Sequence, residues 1–225
     1  MTKNIITAFL LCSIIPQMAA CQNSGDAISN IDQQLKQGKT TITKVLSSDS
    51  LMYLHSLTPF REVIKANAKA EKIRIVTDKE PGKRITVSGL VVNKSGEPQK
   101  NVLIYFYHTD DRGWYADTGV HVLTNSGDFK HARLFGYLKT NDKGEFSFET
   151  IRPNGYPQSD FAGHIHLQFW DENRRTLHGP GEFQFDEDPR MTPSRKAASL
   201  ADGYLISKNT GTAEKMVYVY KVIVE

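Results

Sequence analysis

Short strand-like segments separated by turn residues fill the chain from Arg84 to its last residue. RITVSGLVV and NVLIYFYH are rich in β-branched and aromatic residues, and clusters such as NKSGEP, NDKG and RPNGYP lie between such segments. β-Branched and aromatic side chains favour strands, whereas Gly, Pro, Asn and Asp favour turns. No helical periodicity interrupts the pattern. It predicts an all-β fold, an antiparallel β-sandwich over residues 75–225, with a domain built on a single sheet as the alternative.

The residues from 21 to 74 have a different composition. The stretch from Gln22 to Ser50 is polar, and AISNIDQQLKQ is its most helical part. Pro59 stands near the start of a second helical segment, SLTPFREVIKANAKAEK. We therefore expect a tether with short helices here, which packs against the β domain without forming a domain of its own.

The first 20 residues resemble an export signal. Lys3 precedes an apolar run from Ile5 to Ile15 that is too short to span a bilayer. The following MAAC resembles the bacterial lipobox, in which the cysteine is lipidated after cleavage; a plain signal peptide with a chance cysteine is the alternative. We expect residues 1–20 to be a lipoprotein signal peptide and Cys21 to carry the lipid. The exported protein would then be held by its lipid at a membrane of the bacterial cell envelope, the outer membrane.

The cysteine count and the charge narrow the functions open to the chain. Cys12 lies in the apolar run and would leave with it, and Cys21 is the only other cysteine. A metal would therefore be held by nitrogen and oxygen ligands, without thiolates. The net charge of +3 includes Lys3, so the mature protein is nearly neutral and nothing predicts a nucleic-acid partner.

A pair of histidines in GHIHLQFWD is the first candidate for chemistry. In a strand, His164 and His166 point to the same face, while the apolar residues between and beyond them point to the other. Such a pair can reach one metal ion, but the same spacing also occurs where histidines only pack. Tyr156 precedes the pair and is either a packing residue or an oxygen ligand, and a phenolate suits a hard ion such as Fe(III) better than zinc.

Several motifs in one order resemble the intradiol ring-cleavage dioxygenases. TIRPNGYPQSDFAGHIH follows LKTNDKGEFSFE, with VSGLVVNKSGEPQKNVLIYFYHTDDRGWYAD upstream and GEFQFDEDP downstream, so that the resemblance covers residues 85–190. That family binds one non-haem Fe(III) through two tyrosines and two histidines. Matched position by position, these ligands are Tyr115, Tyr156, His164 and His166.

The resemblance also implies an activity. An Fe(III)-dependent dioxygenase of this family takes a catechol-type substrate and dioxygen, and opens the ring between its two hydroxylated carbons. The second tyrosine, here Tyr156, leaves the iron when substrate binds and helps to accept a proton, which makes it a catalytic residue. An exported enzyme would meet catechols derived from lignin, polyphenols or siderophores.

The sequence departs from the family just before the first histidine. The family commonly has Arg-Pro-x there, whereas this chain has Phe161, Ala162 and Gly163. The arginine helps to stabilise negative charge on the substrate, and such preorganised charge is a large catalytic contribution. We predict Arg152 as the catalytic substitute, with Arg133 as the second candidate; the alternative for both is a surface role.

The sequence is also compatible with two other functions. One is a non-catalytic envelope module on the same fold that binds catechols or carbohydrate, which the lost arginine favours. The other is a purely structural sandwich in which the four candidate ligands pack and diverge. The remaining histidines are interpreted as packing or solvated residues, with His131 closest to the predicted pocket.

Overall fold

The computed structural model describes residues 15–119 and 131–225, with side chains from Ser24 onward. Within these residues the helices are α1 (Ile15–Lys36), α2 (Ile42–Leu46), α3 (Thr58–Ala66) and α4 (Pro193–Ala201), with a 3₁₀ helix at Asp49–Leu54. The strands are β1 (Lys72–Arg74), β2 (Arg84–Val92), β3 (Leu103–His108), β4 (Leu134–Lys139), β5 (Glu145–Ile151), β6 (His164–Trp170), β7 (Thr176–Leu177), β8 (Glu182–Phe185), β9 (Leu205–Ser207) and β10 (Met216–Ile223). A search of the described helices finds none with the length and apolar character needed to cross a bilayer.

The described strands form two mixed sheets. One has the order β1-β5-β2-β10, and the other has the order β4-β3-β6-β8-β9 with β7 added beside β6. The predicted all-β fold is present only as a mainly-β fold, because α4 lies between β8 and β9 where no helix was predicted, and the single-sheet alternative is wrong. The expectation of purely antiparallel sheets is also wrong, because β1–β5, β2–β10 and β8–β9 are parallel pairs. Long connections make this feasible: β8 and β9, for example, are joined through α4, which is a crossover and not a hairpin.

Aromatic side chains join the two sheets across a common core. Phe106 of β3 stacks on Phe148 of β5 with ring centroids 3.8 Å apart. Phe183 of β8 stacks in the same way on Tyr220 of β10, at 4.0 Å. All four are buried, and each large apolar side chain contributes about 1.5–3 kcal/mol through its removal from water. The arrangement is β-sandwich-like, and it holds β3, β6 and β8 rigidly side by side.

The predicted tether is folded in the structure. Ile28 and Ile31 of α1 are buried, and Phe60 of α3 lies 6.3 Å from Phe135 of β4 between ring centroids. The segment AISNIDQQLKQ is mostly polar, but its few apolar residues recur at helical spacing and pack on the domain. Strand β1 also extends the four-stranded sheet. The domain boundary at residue 75 stays a prediction, and residues 1–14 and the Cys21 side chain lie outside what the structure describes.

Candidate metal centre

Strand β6 supplies two of the predicted ligands from the middle of a sheet. It is hydrogen-bonded to β3 on one side and to β8 on the other, so its backbone is fixed. His164 and His166 leave β6 on the same face, as their spacing predicts, while Ile165 between them is buried in the core. Tyr115 and Tyr156 reach this face from the segments that follow β3 and β5.

The polar atoms of the four predicted ligands converge. The hydroxyl oxygens of Tyr115 and Tyr156 are 2.5 Å apart, and the two histidine Nε2 atoms are 3.1 Å apart. Tyr115 Oη lies 2.9 Å from His166 Nε2, and Tyr156 Oη lies 3.0 Å from His164 Nε2. Donors bound at about 2 Å to one ion are separated by roughly 3 Å, so these spacings are compatible with one ion bound among the four side chains. The reading in which the four side chains merely pack and diverge is contradicted.

Backbone hydrogen bonds hold the Tyr115 segment. The Asp110 carboxylate accepts hydrogen bonds from the backbone N–H groups of Arg112, at 2.9 Å, and Trp114, at 3.0 Å. The backbone N–H of Arg133 donates to the carbonyl of Tyr115 over 2.9 Å. Tyr115 is thus tied to the end of β3 and to the start of β4 at once, which limits where its phenol can lie.

Glycines allow the Tyr115 and Tyr156 segments to touch. Gly113 has φ +82°, and a Cβ added to it would lie 2.2 Å from the carbonyl oxygen of Gly155. A Cβ on Gly155 would in turn lie 2.0 Å from the carbonyl oxygen of Phe161. Both spacings are far below van der Waals contact, so only glycine fits at these two positions. The close approach brings the two phenols to one point.

Hydrogen bonds and burial determine where the protons of His164, Tyr115 and Tyr156 lie. His164 Nδ1 lies 2.8 Å from the carbonyl oxygen of Ala162, which can only accept, so Nδ1 carries a proton and the tautomer of the neutral ring has its lone pair on Nε2. Burial above all, and then Tyr156, raises the pKa of Tyr115 well above its ordinary value. Burial also raises the pKa of Tyr156, against the hydrogen bond from Tyr115, which lowers it. Both phenols are protonated near neutral pH unless a cation displaces their protons.

Glu182 stands beside the histidines and was not predicted from the sequence. It pairs with His166 across the β6–β8 ladder, and its Oε1 lies 3.9 Å from His164 Nε2 and 3.7 Å from His166 Nδ1. Together with the two histidines it makes a group of donor atoms close enough to hold a metal ion. A local sequence pattern could not reveal it, because β8 and β6 become neighbours only through the sheet.

The two arginines predicted as substitutes lie elsewhere. Arg133 is buried and makes a bidentate ion pair with Glu80, with N–O distances of 2.7 and 2.6 Å. The Arg152 guanidinium lies over the ring of Phe185, and its Nη2 is 3.6 Å from Asp188 Oδ2. Among the described residues, the contacts of neither arginine reach the four converging atoms. The catalytic role assigned to Arg152 stays a prediction.

The other described histidines that are buried have structural partners. His131 bridges the Tyr105 hydroxyl and the carbonyl of His55, at 2.8 Å each. His108 donates from Nδ1 to the carbonyl of Thr109 and accepts from the Thr150 hydroxyl, both at 2.7 Å. The interpretation of these histidines as packing residues is confirmed.

Comparisons with known proteins agree with this architecture. The family model described as Dioxygenase matches residues 59–179, more than half of the chain. The dioxygenase domain of a dioxygenase–carbohydrate-binding fusion from the cellulolytic bacterium Streptomyces sp. SirexAA-E is similar, with a TM-score of 0.50 and 22% identity over 69% of this chain and 88% of that one. Catechol 1,2-dioxygenase from Acinetobacter sp. ADP1 also has a TM-score of 0.50, with 15% identity over 70% of this chain.

These likenesses differ in how much of each relative they cover. The match spans 57% of the Acinetobacter sp. ADP1 enzyme and also 57% of the catechol 1,2-dioxygenase of Acinetobacter radioresistens, which has a TM-score of 0.50 and 14% identity. No curated protein matches the sequence significantly. At identities of 22% or less, the solved structures support only the fold. The assignment of the chain to a family rests on the family model. The chain belongs to the intradiol ring-cleavage dioxygenase family.

Proposed function

We propose that the protein is an Fe(III)-dependent dioxygenase that opens a catechol-type ring between its two hydroxylated carbons. The observation that carries the proposal is the convergence of two phenol oxygens and two imidazole nitrogens, with five of their pairwise distances between 2.5 and 3.4 Å. Family membership supports the reaction class. The proposed ligands are Tyr115, Tyr156, His164 and His166.

This donor set fits ferric iron. Two phenolates are hard anionic donors, and they offset two of the three positive charges of Fe(III). As a neutral imidazole, His164 would present the lone pair of Nε2 to the ion, because Nδ1 donates its proton to the Ala162 carbonyl. Buried phenols with raised pKa values give up their protons only to a strongly charged cation, which favours the ferric state over divalent ions for this set.

The protein groups would bind, orient and move protons. Iron, when bound, supplies a Lewis acid and a template for both oxygens of a catechol. The phenolate of Tyr156 takes the proton of one substrate hydroxyl: the substrate O–H bond breaks and the Tyr156 O–H bond forms. Tyr156 suits this role because its ring borders the exposed side chain of Phe161, with centroids 6.2 Å apart, so it lies toward the open side of the site. Tyr115 would keep its place, because its backbone carbonyl accepts a hydrogen bond from the Arg133 N–H at the start of β4.

The position that carries arginine in the family is occupied differently here. Phe161 is 51% exposed, and the Arg195 guanidinium of α4 lies 4.8 Å from its ring while pairing with Asp160. No charged side chain is therefore contributed by residue 161 to the substrate. This observation favours a second candidate function, a non-catalytic envelope module that binds a catechol or a carbohydrate without turning it over.

One experiment separates the two functions. The purified protein is loaded with iron, its visible absorption is recorded, and a catechol is added under air. The enzyme predicts a phenolate-to-iron charge-transfer band that shifts with catechol, together with consumption of dioxygen. A binding module would shift the band and consume no dioxygen. A protein that binds no iron, or whose band survives Tyr156→Phe unchanged, would contradict the proposed centre.

Export and lipid attachment are the second part of the proposal. They are supported by the charged start, the short apolar run and the MAAC sequence before Cys21. The lipid would hold the protein at the outer membrane of the bacterial envelope, where catechols enter from outside. Labelled palmitate should enter the wild-type protein and not Cys21→Ser, and the wild-type protein should fractionate with outer membranes. Equal labelling of the two proteins would contradict lipid attachment at Cys21.

A further inference from the structure

A carboxylate faces the two histidines from the neighbouring strand. Glu182 of β8 is directly opposite His166 of β6 in the ladder. Its Oε1 lies 3.9 Å from His164 Nε2 and 3.7 Å from His166 Nδ1. The side chain is 15% exposed, so the charge is largely withdrawn from water. A half-buried charge is costly unless it is paired, so a carboxylate next to two imidazoles favours the binding of a cation beside it.

The second oxygen of Glu182 is held by its own strand. Oε2 accepts a hydrogen bond of 2.8 Å from the Gln184 amide, which is two residues further along β8 and on the same face. This bond orients the carboxylate so that Oε1 is the oxygen turned to the histidines. Glu182 is therefore positioned by the sheet in the same way as the histidines, and not by a loop.

Two imidazoles and one carboxylate form a ligand set that prefers divalent metal ions. Two histidines with a single Asp or Glu bind zinc in catalytic sites and ferrous iron in non-haem oxygenases. Such a set needs no ionised phenol, since one carboxylate with two neutral imidazoles matches a divalent charge. Donor atoms of His164, His166 and Glu182 all lie within 4.8 Å of one another.

We propose that His164, His166 and Glu182 form a divalent-cation site that overlaps the two-tyrosine, two-histidine centre. A divalent ion such as Zn²⁺ binds to the imidazoles and the Glu182 carboxylate, and Tyr115 and Tyr156 are not among its ligands. Because both sets use the same imidazoles, the two ions exclude each other. That exclusion depends on the proposed ferric centre, whereas the divalent site itself does not.

The test is Zn²⁺ binding to the metal-free full chain, measured by competition with a chromophoric chelator. Glu182→Gln keeps the shape of the side chain and removes its charge, and it should weaken Zn²⁺ binding by about 10–100-fold, the range for loss of a group that supports a metal site. Glu182→Asp should recover part of the affinity. Glu149→Gln, in the other sheet and 46% exposed, is the matched control and should bind Zn²⁺ as the wild type does.

Substitution of Tyr156 should affect the ferric centre, whereas substitution of Glu182 should affect the divalent site. Tyr156→Phe should not weaken Zn²⁺ binding, because it removes a hydroxyl that competes for His164 Nε2, whereas it should diminish the ferric charge-transfer band, to which Tyr115 also contributes. Zinc added to the wild type should produce no ultraviolet difference band of tyrosinate, and this measurement needs no variant to fold. Wild-type Zn²⁺ affinity in Glu182→Gln, or a tyrosinate band on zinc binding, would overturn the divalent site. Absence of the ferric band in the wild type would instead count against the proposed function alone.

Discussion

The hydroxyl oxygens of Tyr115 and Tyr156 lie 2.5 Å apart although 41 positions separate the two residues in the chain. Two partly buried phenols at this distance cannot both ionise without a cation between them. Burial and their mutual contact hold the pKa of Tyr115 above its ordinary value, and burial holds that of Tyr156 above its own. The pair would therefore become anionic only if a bound cation displaced its protons.

Loss of one phenol from this pair should weaken the ferric centre. Tyr115→Phe removes an anionic donor and keeps the ring, and we expect Fe(III) affinity to fall at least as far as the roughly 10–100-fold typical of a lost supporting group. Chelator competition measures it. Tyr53→Phe changes a tyrosine that is 57% exposed and should have no effect. Equal losses in the two variants would contradict the assignment of Tyr115.

The contact between the two tyrosine segments can be tested at Gly113. Gly113→Ala adds a Cβ at 2.2 Å from the Gly155 carbonyl oxygen and should both destabilise the fold and lower Fe(III) affinity. Gly96→Ala is the matched control, because Gly96 has a similar φ of +85° but no atom within 4 Å of the added Cβ. The control should cost only the backbone strain of about 1–2 kcal/mol. Iron affinities that are equal in the two variants would contradict the proposed close approach.

The buried ion pair of Arg133 and Glu80 should matter for stability. Arg133→Met leaves Glu80 buried without its cation, while Asp110 keeps its pair with Arg112, so we expect the free energy of unfolding to fall by about 3–5 kcal/mol in urea titrations. Arg74→Met breaks the exposed pair with Asp78 and should cost at most about 1 kcal/mol. A small effect at Arg133 would show that its segment is not held by this pair.

Two buried histidines predict destabilisation by acid. Burial lowers the pKa of His55 and of His108 from 6.5 to about 4. The unfolded chain takes up these protons first as the pH falls, so the free energy of unfolding should decline from about pH 6.5 down to about pH 4, by about 3 kcal/mol per histidine over the whole window.

His55→Asn isolates one of these contributions. The Asn amide can still donate to the Arg133 carbonyl, which lies 2.7 Å from His55 Nδ1, but it does not titrate. Between about pH 7 and about pH 5 the variant should lose about 2 kcal/mol less stability than the wild type in urea titrations. His178→Asn, at an exposed histidine, serves as the control. An unchanged pH dependence in His55→Asn would refute the proposed role of burial.

The sequence was informative wherever local patterns decide the structure. Alternation in GHIHLQFWD placed His164 and His166 on one face, and the turn clusters predicted the strands. Tyr115 is predicted as a ligand only through the family motif. Its approach to Tyr156 depends on the contact between Gly113 and Gly155, which are distant in the chain and meet only in the folded protein. The site itself was thus predicted by resemblance and brought together by the fold.

Features that depend on sheet neighbours could not be predicted. Glu182 faces the histidines because β8 pairs with β6, and a local pattern does not reveal which strands pair. Arg133 was a candidate for the substrate site, but its partner Glu80 is 53 positions earlier in the chain and binds it in the interior. The parallel pairing of β2 with β10 joins strands from opposite ends of the domain for the same reason.

The most direct test of the central claim is the fate of labelled dioxygen. The iron-loaded protein is given a catechol under ¹⁸O₂, and the products are analysed by mass spectrometry. An intradiol dioxygenase predicts a muconate-type diacid that carries both labelled oxygen atoms, one in each carboxyl group. Recovery of unchanged catechol from a protein that has bound iron, or a ring-opened product without the label, would contradict the proposed activity.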